Sequence, residues 1–170
     1  LEGYQGIDLL LEASQHTFNR NDSATLVIVG GSSTHITKYK KVVESLGISS
    51  RVRFAGTRSV EHLADFLCQA DILVSARSQG TNTPMKIYSY LYAGVVTVAT
   101  RLPTHTQVLN DENSKLADAN AASFGDAMLA MLKDKQQRLQ LGAAAHEYAK
   151  QSHSQSSLIL EYALVIELLQ

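Results

Sequence analysis

The segment 78–88, Ser-Gln-Gly-Thr-Asn-Thr-Pro-Met-Lys-Ile-Tyr, contains the residue types in this chain that are best suited to binding an anion. It follows an apolar run at 71–76 and leads into a helical pattern that stops at Gly94, so it predicts a strand, a loop and a helix in succession. Pro84 suits the first turn of that helix, and the N-terminus of a helix attracts negative charge. Lys86 adds a cation nearby. These residues therefore predict a phosphate or diphosphate site.

Short apolar runs alternate with helical patterns along the chain, and this alternation predicts the elements that position the segment. Strands are expected at 24–29, 51–54, 71–76, 95–99 and 115–117. Helices are expected at 7–16, 39–46, 60–67, 84–93, 121–132, 135–150 and 156–169. Strands that are apolar throughout and alternate with helices are typical of a parallel sheet covered on both faces. We therefore expect an α/β fold with a Rossmann-like parallel sheet and helices on both faces.

Four loops with small or polar residues follow the predicted strands. They lie at 30–33, 56–58, 78–83 and 100–106. Ligands of parallel sheets bind outside the carboxyl ends of the strands, where such loops meet. We therefore expect the four loops to converge on a functional cleft.

The composition is that of a globular protein and excludes several classes of function. The 170 residues are 45% hydrophobic and 18% charged, and the net charge of −1 argues against nucleic acid as a partner. No apolar run reaches the roughly 20 residues that span a bilayer, and we expect a cytoplasmic protein. The single cysteine, Cys68, lies in an apolar helical pattern that predicts a buried, unreactive thiol.

Five blocks of residues, in order, resemble the C-terminal domain of the retaining group 1 glycosyltransferases of GT-B fold. The blocks lie at 5–13, 26–31, 51–56, 70–75 and 80–90, and the similarity continues to Leu109. The resemblance implies that residues 1–170 form a single domain that binds a nucleotide sugar. It also implies that an N-terminal domain with the acceptor site, and a strand ahead of Leu1, belong to the parent protein but are missing from this fragment.

The resemblance also implies roles for individual residues. The donor diphosphate is expected at Gly80, Thr81, Asn82, Thr83, Pro84, Met85 and Lys86, together with Gly30 and Gly31. The ribose or base is expected at Ser89, Thr57 and Arg58, and further residues of the cleft at Arg77, His105 and Gln5. Ser89 and Gln5 stand where many members of the family have Glu and Lys, so the usual contacts of those side chains are altered here.

Each of these residues also has a purely structural interpretation. Lys86 either holds phosphate or is a solvated lysine on a helix face. Thr81 and Thr83 either contact phosphate or cap the following helix, as Ser and Thr commonly do. Arg77 and His105 either face the cleft or lie on the surface. The residue types alone do not decide between these interpretations.

Further roles among the candidate residues are open in the same way. Gly30 and Gly31 either let a ligand approach the backbone or form a tight turn without a ligand. Ser89 either donates to a ribose hydroxyl or is an ordinary serine on a helix face. Arg58 is a candidate for a residue that selects the base of the nucleotide.

The resemblance therefore implies the donor half of a hexosyltransferase that acts with retention on a UDP- or GDP-linked sugar. The acceptor is a glycan, a lipid or a small molecule, and the isolated domain is expected to be inactive. No Asp-x-Asp motif is present, and the six histidines lack metal-ligand spacing, so neither a metal nor another cofactor is expected. The alternative is a non-catalytic nucleotide-binding or interaction module of the same fold.

The residues 155–170 predict a last helix with a wide apolar face. In related enzymes such a helix packs on the N-terminal domain. Without that domain the apolar face favours association, so we expect a weak dimer through this helix. In the full-length enzyme, membrane association is a second possibility beside a purely cytoplasmic location.

Overall fold

The computed structural model describes residue 1 and residues 3–152, and every structural statement below concerns these residues. Seven α-helices are present: α1 (Ile7–Phe18), α2 (Ser33–Ser45), α3 (Leu63–Cys68), α4 (Lys86–Ala93), α5 (Pro103–Thr106), α6 (Ala121–Lys133) and α7 (Lys135–Ser152). Five strands are present: β1 (Leu26–Val29), β2 (Val52–Gly56), β3 (Leu73–Ser75), β4 (Thr97–Thr100) and β5 (Lys115–Ala117). The predicted helix at 156–169 and the dimer through 155–170 lie outside the described residues.

Every strand predicted from the sequence is present, and most are shorter than the apolar run that predicted them. The helix after β3 begins at Lys86 with Met85 at its N-cap, two residues later than expected from Pro84. Its end is where the sequence predicts it, because Gly94 adopts the left-handed conformation (φ 66°) that glycine tolerates best. Local sequence signals therefore define the elements well and their first residues less well.

The parallel α/β architecture is confirmed, but the strands form two sheets. β1 pairs with β2 in parallel, and β3, β4 and β5 form a second parallel sheet in that order. Among the described residues, β1 and β3 are therefore edge strands. The continuous apolar runs had predicted one sheet.

A cavity of about 960 Å³ lies between the two sheets. Its lining includes Val27 of β1 and Val74 of β3, together with Leu10 of α1, Leu67 of α3 and Met128 of α6. Val27 is 51% exposed, although it belongs to a run that predicts a buried strand. The space thus separates two strands that each lack a neighbour on that side in the described part of the chain.

Two apolar clusters hold the helices in place around the sheets. In the larger one, α1 packs closely on α6, and Thr17 donates hydrogen bonds to the carbonyls of Ala13 (2.9 Å) and Gly125 (3.1 Å). In the smaller one, α4 packs on α7 through buried residues that include Ile87 and Leu91. Because these two residues are fully buried, the packing fixes α4 and the lysine at its start.

Cys68 corrects one expectation from the sequence. It is exposed, and the prediction of a buried thiol is wrong. Helix α3 spans only six residues, of which Leu67 alone is buried, so the helix turns its last residue outward. None of the described helices combines the length and apolar character required to cross a membrane.

Candidate functional site

The loop between β3 and α4 is held from one side by helix α5. The Thr104 hydroxyl donates to the carbonyl of Asn82 at 2.6 Å, and the Gln107 amide donates to the carbonyl of Thr81. The Arg77 guanidinium approaches the same Asn82 carbonyl at 3.4 Å. Side chains that follow β4 therefore fix the backbone of the loop after β3, and the third and fourth predicted loops do meet.

The start of α4 places the candidate lysine and excludes one alternative. Met85 occupies the N-cap, and no side chain caps the helix there, so the interpretation of Thr81 and Thr83 as caps is wrong. The amides of Ile87 and Tyr88 bond to the carbonyls of Pro84 (2.9 Å) and Met85 (3.1 Å). These two amides are therefore committed to the helix, and an anion would rely on Lys86 and on donors ahead of Ile87.

The first and second loops meet as the sequence predicts. The Gly30 amide donates to the carbonyl of Gly56 at 2.8 Å, just beyond the paired part of β1 and β2. Gly30 and Gly31 both have positive φ (100° and 91°), the region that side chains rarely adopt. A Cβ built on Gly31 would stand only 2.8 Å from Cδ1 of Leu1. The turn therefore needs glycine for its geometry as well as for any approach of a ligand.

The cavity between the sheets opens among the candidate binding residues. Six of them line it: Gln5, Gly30, Gly31, Thr57, Lys86 and Ser89. They come from four separate segments of the chain. The sequence predicts that loops after the strands converge, but it does not predict which of their residues meet. Ser89 is 8% exposed, so the interpretation as an ordinary serine on a solvated helix face does not describe it.

Other candidate residues lie outside this cavity. The loop residues Gly80, Thr81 and Asn82 are exposed and do not line it. Arg58 is exposed and lines a separate shallow hollow with His62 and neighbouring residues. The structure therefore brings Thr57 to the cavity without its neighbour Arg58.

Arg77 is half-buried and contributes positive charge near the loop. Its guanidinium lies over the ring of Tyr4, 5.1 Å from the centroid, and its carbonyl accepts a hydrogen bond from Thr100 Oγ1 at 2.7 Å. A Cβ added to Gly80 would stand 3.2 Å from Arg77 Nη1, so the glycine makes room for the guanidinium. Of the two alternatives for Arg77, a freely solvated surface arginine does not describe it, because its guanidinium packs on Tyr4 and approaches the loop.

His105 is fully buried, and neither alternative from the sequence describes it. It is not a surface histidine, and its ring lies beneath the loops instead of lining the cavity. Nδ1 is 2.9 Å from the carbonyl oxygen of Thr100 and 3.0 Å from its Oγ1, and Nε2 is 2.9 Å from Ser75 Oγ. Because a carbonyl only accepts, Nδ1 carries the proton and Nε2 accepts from the Ser75 hydroxyl.

The environment of His105 favours the neutral ring. Burial lowers the pKa of His105 from 6.5 to about 4, against the opposing hydrogen bond to the Thr100 backbone, and the positive charges of Lys86 and Arg77 lower it further. The two candidate cations therefore both act on this one imidazole. Their fields overlap at the carboxyl ends of β3 and β4.

Sequence reasoning missed the residues that hold the loop. Thr104, Gln107, Ser75 and Thr100 have small or polar side chains with no pattern that separates them from ordinary loop residues. Their only signal was position, since Ser75 and Thr100 lie at the ends of predicted strands and Thr104 and Gln107 lie in or directly after the predicted loop at 100–106. Within the described part of the chain, no group of three or more His, Cys, Asp or Glu side chains forms a metal-binding cluster.

Comparison with known proteins identifies the family. The family model of the glycosyl transferases group 1 matches residues 1–134. The D-inositol 3-phosphate glycosyltransferase of Corynebacterium diphtheriae is 28% identical over 158 residues, which cover 88% of this chain and 36% of that protein. The chain therefore spans about a third of the length of this curated relative.

Solved structures share the fold. The HepE protein of Anabaena, solved in complex with UDP, superposes with a TM-score of 0.82 at 17% identity over 99% of this chain and 46% of that one. The C-terminal domain of LpcC, a glycosyl transferase group 1 family protein from Francisella tularensis, superposes with a TM-score of 0.78 at 16% identity over 90% of this chain and 82% of that one. The chain belongs to the glycosyl transferases group 1 and is a domain of GT-B fold.

Proposed function

We propose that this chain is the donor-binding domain of a retaining hexosyltransferase that uses a UDP- or GDP-linked sugar. The observation that carries the proposal is that Gly30, Gly31, Lys86 and Ser89 meet at one end of the cavity, beside the carboxyl ends of the parallel strands. The family match and the UDP bound to the HepE structure support a nucleotide as the ligand. The likeness to an isolated C-terminal domain supports the position of this domain in a longer protein.

The proposed chemistry of the domain is electrostatic. Transfer of the sugar leaves negative charge on the departing diphosphate, and Lys86 and Arg77 stabilise it from fixed positions. The glycine turn at Gly30 and Gly31 lets phosphate approach the backbone closely. Fixed cations and backbone donors neutralise the diphosphate in this proposal, and no metal or other cofactor takes part.

The acceptor site and the remaining catalytic groups belong, in this proposal, to a second domain of the longer protein. Residues 1–170 alone are then expected to bind a nucleotide without transferring sugar. The alternative of a non-catalytic nucleotide-binding module rests on Ser89 and Gln5, which replace the Glu and Lys of many family members. Sugar transfer by the longer protein, measured with wild type and Ser89→Ala, separates the two functions. Transfer by wild type supports the enzyme, and no transfer supports the non-catalytic module.

The isolated chain is expected to bind UDP or GDP with low affinity, and Lys86→Ala is expected to weaken that binding roughly 5- to 30-fold. This range corresponds to about 1–2 kcal/mol for one charge-assisted hydrogen bond. Calorimetric titration with UDP, GDP and ADP measures the affinities, with uridine as the ligand that lacks phosphate. Lys133→Ala is the matched control, because Lys133 is a lysine at the end of α6 that does not line the cavity.

If Lys86→Ala binds nucleotide as tightly as wild type, Lys86 does not contact the ligand and the role proposed for it is wrong. If wild type binds none of the nucleotides at millimolar concentration, the proposed donor-binding function is wrong. A loss of affinity for uridine equal to the loss for UDP would place Lys86 at the nucleoside instead of the diphosphate.

We also propose that the apolar part of this space, between β1 and β3, receives one more parallel strand from residues ahead of Leu1 in the longer protein. The end lined by Gly30, Gly31, Lys86 and Ser89 is then left for the ligand. β1 and β3 run in parallel sheets and are edge strands on either side of the cavity. Leu1 lies against Gly31, at the carboxyl end of β1. If a strand ends at Leu1, this strand, helix α1 and strand β1 form a β–α–β unit. The two strands of such a unit are parallel.

A designed N-terminal extension tests this proposal directly. Six valine and isoleucine residues joined to Leu1 through glycine are expected to raise the melting temperature and to slow amide exchange in β1 and β3. The control extension has the same length but carries two central prolines, which cannot donate to the sheet. Equal melting temperatures and equal exchange for the two extensions would contradict the proposal.

A further inference from the structure

We infer that His105 is a positioning residue that holds the β3–α4 loop in its binding geometry through hydrogen bonds to Ser75 and Thr100. The inference rests on the proposed function in one respect, namely that this loop contacts the donor diphosphate. His105 itself does not touch the ligand in this arrangement. It acts through the backbone of the loop and through helix α5.

The first connection runs through the ends of two strands. His105 Nε2 accepts from Ser75, the last residue of β3, at 2.9 Å, and Nδ1 donates to the carbonyl of Thr100, the last residue of β4, at 2.9 Å. Thr100 Oγ1 in turn donates to the carbonyl of Arg77 at 2.7 Å. One imidazole therefore ties both strand ends to the first residues of the loop.

The second connection runs through helix α5. His105 belongs to this short helix, and its amide donates to the Leu102 carbonyl at 2.8 Å. Its neighbour Thr104 and the following Gln107 hold the carbonyls of Asn82 and Thr81. A ring that anchors α5 therefore also anchors the two side chains that fix the middle of the loop.

A neutral histidine meets the chemical requirements of this position. The ring donates at Nδ1 and accepts at Nε2 on opposite sides, and its partners Thr100 and Ser75 have no exposed surface. An apolar side chain would leave the Ser75 hydroxyl and the Thr100 carbonyl buried with fewer partners, which is unfavourable. Asparagine can restore the donor near Nδ1, and glutamine can restore an acceptor near Nε2.

The charges around the ring agree with this role. Burial is the main cause that lowers the pKa of His105 to about 4, and Lys86 at the start of α4 and Arg77 in the β3–α4 loop both disfavour a protonated ring as well. The ring is therefore neutral near pH 7, where it can accept from Ser75. A proton-shuttling role is not needed to explain its burial.

The test compares His105→Leu, His105→Asn and His105→Gln with a matched core variant. Met131→Ala, on α6, also removes buried atoms but lies outside the hydrogen bonds that reach the loop. In His105→Leu the affinity for UDP is expected to fall on the order of tenfold while the affinity for uridine changes less than about twofold. His105→Asn is expected to recover part of the loss, because it restores the bond toward Thr100.

Amide exchange of residues 78–83, measured by NMR without ligand, gives a second readout that does not depend on the proposed function. Faster exchange of these amides in His105→Leu than in Met131→Ala supports the positioning role even if wild type binds no nucleotide. Unchanged loop exchange in His105→Leu would overturn the inference. An equal loss of affinity for UDP and uridine in both variants would also overturn it, because general loosening of the domain would then explain the effect.

Discussion

Replacement of Gly6 by alanine is expected to lower the free energy of unfolding by about 3 kcal/mol. Gly6 has a φ of 73°, and a Cβ at this position would stand 1.8 Å from the carbonyl oxygen of Ala76. The left-handed conformation costs an alanine about 1–2 kcal/mol, and forcing backbone apart adds about 1–3 kcal/mol. This glycine precedes α1 and lies against the residue where the β3–α4 loop begins, so nucleotide affinity is expected to fall as well.

Two other glycines separate the sources of this effect. Gly47 has a similar φ of 70° but no heavy atom within 4 Å of a Cβ built there, so Gly47→Ala measures the conformational cost alone, about 1 kcal/mol. Gly3 has neither positive φ nor a close neighbour, and Gly3→Ala is expected to stay within about 0.5 kcal/mol of wild type. Urea denaturation followed by circular dichroism gives the three differences. Equal losses for Gly6→Ala and Gly47→Ala would show that α1 does not pack against Ala76 as described.

The stability of the domain is expected to decline by about 3 kcal/mol as the pH falls from about 6.5 to about 4, because of His105. The pKa of His105 is lowered from 6.5 to about 4 in the folded protein, and each pKa unit corresponds to about 1.4 kcal/mol. On acidification the unfolded chain binds the proton first, so this contribution is complete above about pH 6.5 and is lost as the pH approaches 4. Denaturation at intervals of half a pH unit measures the slope.

His105→Asn is the control for this pH dependence, because asparagine does not titrate. Its stability relative to wild type is expected to improve steadily between pH 6.5 and pH 4. Asp111 affects stability in a different range of pH. The hydrogen bond from Arg101 lowers the pKa of the Asp111 carboxyl below 3.8, so the contribution of Asp111 to stability is lost only at more acidic pH. Parallel curves for wild type and His105→Asn between pH 6.5 and pH 4 would contradict a neutral, buried ring.

The positions of the two candidate cations near one imidazole link this prediction to the site. Lys86 and Arg77 each disfavour the protonated ring, so binding of a diphosphate between them would offset part of their effect. The pKa of His105 is therefore expected to rise when a nucleotide binds near both cations. An NMR titration of the ring with and without UDP measures this coupling, and an unchanged pKa would place the bound phosphates away from the two cations.

Much of the fold follows from the sequence because it depends on neighbours along the chain. The short segment 115–117 is strand β5, and Gly94 ends α4, since strand propensity and left-handed φ are properties of a few adjacent residues. The placement of loops at the carboxyl ends of strands follows from the parallel arrangement that the alternation of elements predicts. The sequence therefore predicted which loops would meet, without knowledge of any contact.

Only the tertiary structure decided what lies between and beneath these elements. Thirty residues separate His105 from Ser75, and no periodicity predicts that their side chains meet in a buried pair. The exposure of Cys68 depends on the brevity of α3 and on what packs beside it, and the division into two sheets depends on which strands find neighbours. An apolar pattern indicates that a residue prefers burial. Which residue it contacts depends on how distant segments of the chain pack together. For the same reason the sequence identified Lys86 and the glycines as candidates, while the residues that hold their loop became visible only in three dimensions.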